Sequence, residues 1–123
     1  MEKIVAEFES ELEEQFSLIV NFDRCPAFSA LLDVQELRRI FDNLASNIRK
    51  YADPAKPVTL SIRFENKALE IRQTNAVLPG NEQTDSYQIG LNSIRRIAQG
   101  YGGSVTVDEG NDRFSISVLF RNL

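Results

Sequence analysis

Residues 37–51 read L-R-R-I-F-D-N-L-A-S-N-I-R-K-Y. At 3.6 residues per turn, Leu37, Ile40, Phe41, Leu44, Ile48 and Tyr51 fall on one face, the stripe of an amphipathic helix packed on a core. Asn43, Asn47 and Lys50 follow at i, i+4 and i+7, so two carboxamides and an ammonium run along one edge of that stripe. Asn is a poor helix former, roughly 0.5 kcal/mol worse than Ala per residue, and two of them in mid-helix call for a reason. Two readings stand side by side. One is a solvated polar face that carries Asn. The other is a metal-phosphate site, in which an Asn carbonyl oxygen serves Mg²⁺ as a hard neutral ligand and a Lys one turn on holds a phosphate oxygen.

Working outward, the chain has 123 residues, 42% hydrophobic and 26% charged, enough for one globular domain with its own core. Its single Cys25 has no disulfide or zinc partner, which fits a reducing compartment. No apolar run approaches a membrane span, and the acidic amino terminus is unlike a targeting peptide, so a soluble, cytoplasmic chain is expected. A net charge of −4 argues against nucleic acid as the main partner, although Arg38, Arg39, Arg49, Lys50, Arg95 and Arg96 make local positive ground. There is no histidine, which removes His general acid/base chemistry, His metal ligation and self-phosphorylation on His.

In chain order, the Glu-rich start with Ile4, Val5, Phe8 and Leu12 at helical spacing predicts a short helix, capping the domain or continuing from a preceding one. Phe16 to Phe22 predicts a first strand, and Pro26 ends any pairing beyond it. Asp33 caps a helix from Val34 to about Ala52, with Glu36 in a capping-box position, and Asp53-Pro54 stops it. Val58 to Thr74 alternates as a hairpin turning at Asn66-Lys67. Asn75 to Gln88 is expected to be a long functional loop. A helix from Ile89 to Gly100 buries Leu91, Ile94, Ile97, Ala98 and Tyr101, with Gly90 at its anion-attracting amino end. Gly102-Gly103 turns the chain into a last hairpin around Glu109 to Asp112. This order predicts an α/β two-layer sandwich, a mixed, mainly antiparallel sheet with its helices on one face.

F-D-N-L-A-S-N-I-R-K-Y followed by I-G-L-N-S-I-R-R-I-A-Q-G-Y-G-G-S-V-T-V resembles the ATP-binding catalytic domain of sensor histidine kinases, in the Bergerat-fold GHKL superfamily. The resemblance covers about residues 16–120; it makes residues 16–123 the catalytic domain and residues 1–15 a helix or linker from a preceding domain. The first block is similar to the N box. It places Asn47 as the Mg²⁺ ligand, Asn43 one turn earlier, and Lys50 and Tyr51 at phosphate and nucleotide contacts. The second is similar to the G2 box, with Gly90 and Leu91 opening the helix that closes over the phosphates. The family's Asp-x-Gly-x-Gly is absent after the hairpin, where Gln73-Thr74-Asn75-Ala76-Val77 stands instead, and Gln88 replaces the first Gly of the G2 box. The resemblance puts Asn75 where the adenine amino group is read.

What this implies is binding of Mg²⁺ and ATP between the Asn43–Asn47 helix and the loop, with transfer of the γ-phosphoryl group to a protein. ATP-hydrolysing cousins carry a Glu base where this chain has Asn43, and Asn cannot take a proton from water. The acceptor His then lies on a separate dimerisation domain, with a response regulator as the indirect partner. The isolated domain is expected to be monomeric and cytoplasmic, or the cytoplasmic part of a membrane receptor. The alternatives are an anti-sigma factor serine kinase of the same fold and a degenerate interaction module that binds no nucleotide.

Overall fold

The computed structural model describes residues 2–22, 33–65, 68–77, 85–110 and 112–121. Three helices and five strands follow the chain as α1 (Glu2–Leu12), β1 (Leu18–Phe22), α2 (Val34–Tyr51), β2 (Val58–Glu65), β3 (Ala68–Ala76), α3 (Asp85–Gly100), β4 (Ser104–Glu109) and β5 (Arg113–Phe120). The connection holding Cys25 and Pro26, the turn at Asn66-Lys67 and residues 78–84 lie outside the described residues.

The strands form one sheet in the order β1-β2-β3-β5-β4. β1 runs parallel to β2, with Leu18 opposite Val58, and every other neighbouring pair is antiparallel. A parallel neighbour needs a long crossover, and α2 supplies it. Burial alternates along β3 and β5, so Leu69, Ile71, Ile116, Val118 and Phe120 face the helices while Arg72 and Ser117 face away. The expected two-layer α/β sandwich is therefore the observed one. Its core joins Leu37, Ile40, Phe41, Leu44 and Ile48 of α2 to Val58, Leu60 and Ile62 of β2 and to Leu91, Ile94 and Ala98 of α3. Each such Leu, Ile, Val or Phe side chain, fully buried, contributes about 1.5–3 kcal/mol.

α1 belongs to this core. Its Ile4, Val5, Phe8 and Leu12 are buried, and the Phe8 ring meets Phe41 edge-on at 5.5 Å. Glu7 pairs with Arg38 and Glu11 with Arg49 across the two helices, partly exposed contacts that set register more than stability.

Three boundaries differ from the sequence reading. β1 opens at Leu18 rather than Phe16, because the Phe16 N–H closes the turn after α1 on the Leu12 carbonyl at 2.9 Å and its ring is buried. β3 runs on through Asn75 and Ala76, opposite Phe114 and Arg113 of β5, so these two residues leave the expected loop. α3 begins at Asp85, four residues before Ile89. The apolar period starts only near Ile89, whereas Asp85 and Ser86 are residues that favour helix starts and carry no part of the stripe.

α2 begins on Asp33, whose carboxylate accepts the N–H groups of Gln35 and Glu36 at 2.8 and 3.2 Å. α3 ends in a Schellman turn: Gly102 takes φ 71°, its N–H donates to Gln99 O at 3.0 Å, and the Gly103 N–H donates to Ala98 O at 2.9 Å. Gly103 then passes so close to β5 that a Cβ there would lie 1.7 Å from the Leu119 carbonyl oxygen.

Candidate functional site

The polar edge of α2 is graded. Asn43 is half-buried, Asn47 is 8% exposed, Lys50 is exposed, and Tyr51 is half-buried against the core. Asn47 thus lies within the packed face, and its Nδ2 is fully buried with no hydrogen-bond partner among the described residues. A buried amide that goes unpaired costs about 1–3 kcal/mol, so nothing in folding alone recommends it.

The end of β3 is fastened beside the last turn of this helix. Asp53, just past α2, donates its N–H to the Ala76 carbonyl at 2.9 Å, Ala52 and Val77 form a β-bridge, and the Val77 N–H donates to Asp112 O at 2.8 Å. These bonds bring Asn47, Lys50 and Tyr51 to the same end of the sheet as Asn75, although a whole hairpin separates them in sequence.

Asn75 points into the helix-facing layer, 4% exposed. Its Nδ2 donates to the Ala76 carbonyl at 2.8 Å, and its Oδ1 accepts from Gln73 Nε2 at 2.6 Å. Gln73 is itself wholly buried, and its Oε1 has no partner among the described residues. Asn47, Gln73 and Asn75 are the buried polar side chains among the described residues, and all three belong to the α2–β3 layer. The sequence reading missed Gln73. Its signal was present in the alternation Leu69, Ile71, Gln73, Asn75, which carries two carboxamides into core-facing positions.

The second block fares differently. Leu91 is 2% exposed and packs in the core, so it serves to seat α3. Gly90 is not at the amino end of the helix, as its spacing suggested. It lies past the first four N–H groups of a helix that starts at Asp85, and those first groups are the ones left free for an anion.

A recess of ≈ 310 Å³ at this end of the sheet is lined by Lys56, Thr59, Thr74, Asn75, Asp112 and Arg113, among others. It takes in Asn75 but none of the candidate residues of α2. No three acidic, Cys or His side chains cluster to hold a metal ion among the described residues. Mg²⁺ is commonly held by few protein oxygens together with water and substrate phosphates, and the carboxamide oxygen of Asn47 is a donor of that kind. No helix among the described residues is long and apolar enough to cross a membrane.

At the far end of α2, Tyr101 ties the start of the helix to α3. Its hydroxyl accepts the Asp33 N–H at 2.9 Å and donates to the Glu36 carboxylate at 3.0 Å. Burial holds its phenol above the ordinary pKa of 10.0, and the neighbouring carboxylates of Glu36 and Asp33 act in the same direction, while the Asp33 N–H acts against them.

Residues 32–121 match a family model described as GHKL domain. Over 91 residues the chain is 29% identical to the sensor histidine kinase YrkQ of Bacillus subtilis (strain 168), covering 74% of this chain and 21% of that protein. It therefore spans about a fifth of the length of the curated relative it matches. Among solved structures, the catalytic domain of histidine kinase ThkA superposes with TM-score 0.76 at 13% identity, over 97% of this chain and 92% of that one. The Acinetobacter baumannii histidine kinase AdeS superposes with TM-score 0.72 at 15% identity, over 98% of this chain and 61% of that one. At these identities the two structures share the fold.

Proposed function

The chain belongs to the GHKL domain family, and from that premise we propose that it is the ATP-binding catalytic domain of a sensor histidine kinase. It binds Mg²⁺ and ATP beside α2 and the end of β3 and passes the γ-phosphoryl group to a histidine on a separate dimerisation domain. The observation that carries this reading is the trio Asn47, Gln73 and Asn75. These are the buried polar side chains among the described residues, two of them with an atom that has no partner there, at the place where a nucleotide would lie.

In this reading Asn47 offers its carbonyl oxygen to Mg²⁺, and Lys50, one turn nearer the helix end, holds a phosphate oxygen. When bound, the ion would neutralise phosphate charge. Asn75 reads the base, and Tyr51 contacts the nucleotide from the last turn of α2. Asn43 stands where a base for water would act and cannot take a proton, which favours transfer to a protein over hydrolysis. Leu91 seats α3, and Gly90 lies on the helix whose amino end would approach the phosphates. With no histidine in this sequence, the acceptor lies on another domain. Residues 1–15, which hold α1, would lead from that dimerisation domain, a response regulator would draw the phosphoryl group onward, and the whole would work on the cytoplasmic side.

Calorimetric titration of ATP with and without Mg²⁺ tests the binding step, and γ-labelled ATP with a histidine-containing dimerisation domain tests the transfer. Acid-labile label on the added domain is the expected result. No heat of binding, or acid-stable label on serine, would sink the proposal.

A further inference from the structure

The hydrogen bonds around Asn75 leave one assignment of its amide. The Ala76 carbonyl can only accept, so the atom of Asn75 that faces it at 2.8 Å is the nitrogen and the other is the oxygen. That oxygen can only accept, so Gln73 must turn its own nitrogen toward it, at 2.6 Å. The Gln73 oxygen is thereby directed elsewhere, wholly buried and without a partner among the described residues. A backbone carbonyl thus sets the orientation of two consecutive carboxamides on the core-facing side of β3.

Resting on the nucleotide reading above, we infer that Gln73 is a specificity-determining residue. It locks Asn75 with its oxygen available and adds a second acceptor, so that the two oxygens together read an exocyclic amino group. Asn75 Oδ1 keeps one lone pair beyond the bond from Gln73, and Gln73 Oε1 keeps both. An amino group carries two hydrogens, and acceptors at ~2.9 Å from one amino nitrogen lie up to about 5 Å apart. The two oxygens flank a single atom, Gln73 Nε2, and so fall within that reach. A 6-aminopurine meets both. A 6-oxopurine brings an oxygen against two oxygens, and a site built of unpaired acceptors rejects it. Gln73 Oε1 is wholly buried, so the base reaches it only by displacing what covers it, and the other role of Gln73 is to position Asn75.

The test is equilibrium binding of ATP and of inosine triphosphate, each with Mg²⁺, to the wild-type chain and to Gln73→Met. The variant keeps the length of the side chain and removes both its donor and its acceptor. The wild type is expected to prefer ATP, and Gln73→Met to narrow that preference by roughly tenfold, the worth of about one hydrogen bond. The wild-type chain gives a second readout that needs no variant: the side-chain amide resonances of Gln73 should shift with ATP and stay in place with inosine triphosphate. An unchanged ATP preference in Gln73→Met, or Gln73 resonances indifferent to ATP, would overturn the inference while leaving nucleotide binding intact. Failure of the wild type to bind either triphosphate would instead remove the nucleotide reading and this inference with it.

Discussion

The Tyr101 hydroxyl donates to the Glu36 carboxylate at 3.0 Å, so the start of α2 is held by a residue that lies just beyond α3. In a capping box the carboxylate at the third helical position would reach back to the N–H of the capping residue. Here Glu36 reaches Tyr101, and the Tyr101 oxygen takes the Asp33 N–H at 2.9 Å. The box is closed through a phenol drawn from the other end of the chain, and the Tyr101 ring is steadied edge-on against Phe120 at 5.5 Å.

Tyr101→Phe keeps the ring packing and removes both bonds. It should cost about 1–2 kcal/mol, lowering Tm by several degrees. The phenol titrates higher in the folded chain than unfolded, so its contribution is fully present below pH 10.0 and is lost as pH rises through the folded value. Denaturant midpoints measured between neutral pH and the alkaline range should fall more steeply for the wild type than for Tyr101→Phe. Parallel curves would show that the hydroxyl contributes nothing to the α2–α3 link.

Asn47→Ala removes a buried amide nitrogen that has no partner among the described residues, and replaces a poor helix former by the best one. Stability should stay within about 1 kcal/mol of the wild type or rise slightly. Mg²⁺-dependent nucleotide binding should be lost. A large fall in Tm with ATP affinity unchanged would assign Asn47 to packing.

At Asn75 the consequences separate by chemistry. Asn75→Asp exchanges a neutral acceptor for a charged one, which tightens ATP, yet it also faces the Ala76 carbonyl with an acceptor and forfeits the bond at 2.8 Å. The gain in ATP affinity should therefore fall short of about tenfold and come with about 1–2 kcal/mol of lost stability. Asn75→Leu strands the Gln73 donor and should weaken ATP strongly. GTP should gain nothing from the Asp, since guanine presents an oxygen where adenine presents its amino group. Equal ATP affinity in all three proteins would detach Asn75 from the base.

Two glycines near the end of α3 should respond in opposite senses. A Cβ at Gly100 meets nothing within 4 Å, so Gly100→Ala should stabilise the helix by about 0.5–1 kcal/mol. At Gly103 the Cβ would sit 1.7 Å from the Leu119 oxygen, and the backbone of β5 would have to move. Gly103→Ala should cost at least about 2 kcal/mol, read as a lower urea midpoint at unchanged slope. A neutral Gly103→Ala would mean that α3 and β5 are not held together so closely.

Much of this was legible in the residues themselves. α2, with its apolar stripe and its Asn43–Asn47–Lys50 edge, follows from a 3.6-residue period, and the two hairpins follow from a period of two, because burial of one face imposes that repeat on the local sequence. The two motif blocks were enough for the fold family. Where β3 ends and α3 begins was not legible. Asn75 and Ala76 become strand only because Phe114 and Arg113 pair with them, and Asp85 to Gln88 become helix ahead of the apolar stripe. The tertiary structure alone decided that Tyr101 completes the cap of Asp33, that Ala76 meets Asp53, and that Gln73 turns its nitrogen to Asn75. Hydrogen bonds between distant segments leave no period behind them. They are directional and specific to a pair of atoms, and the side chains that make them become identifiable only once the fold has set those atoms side by side.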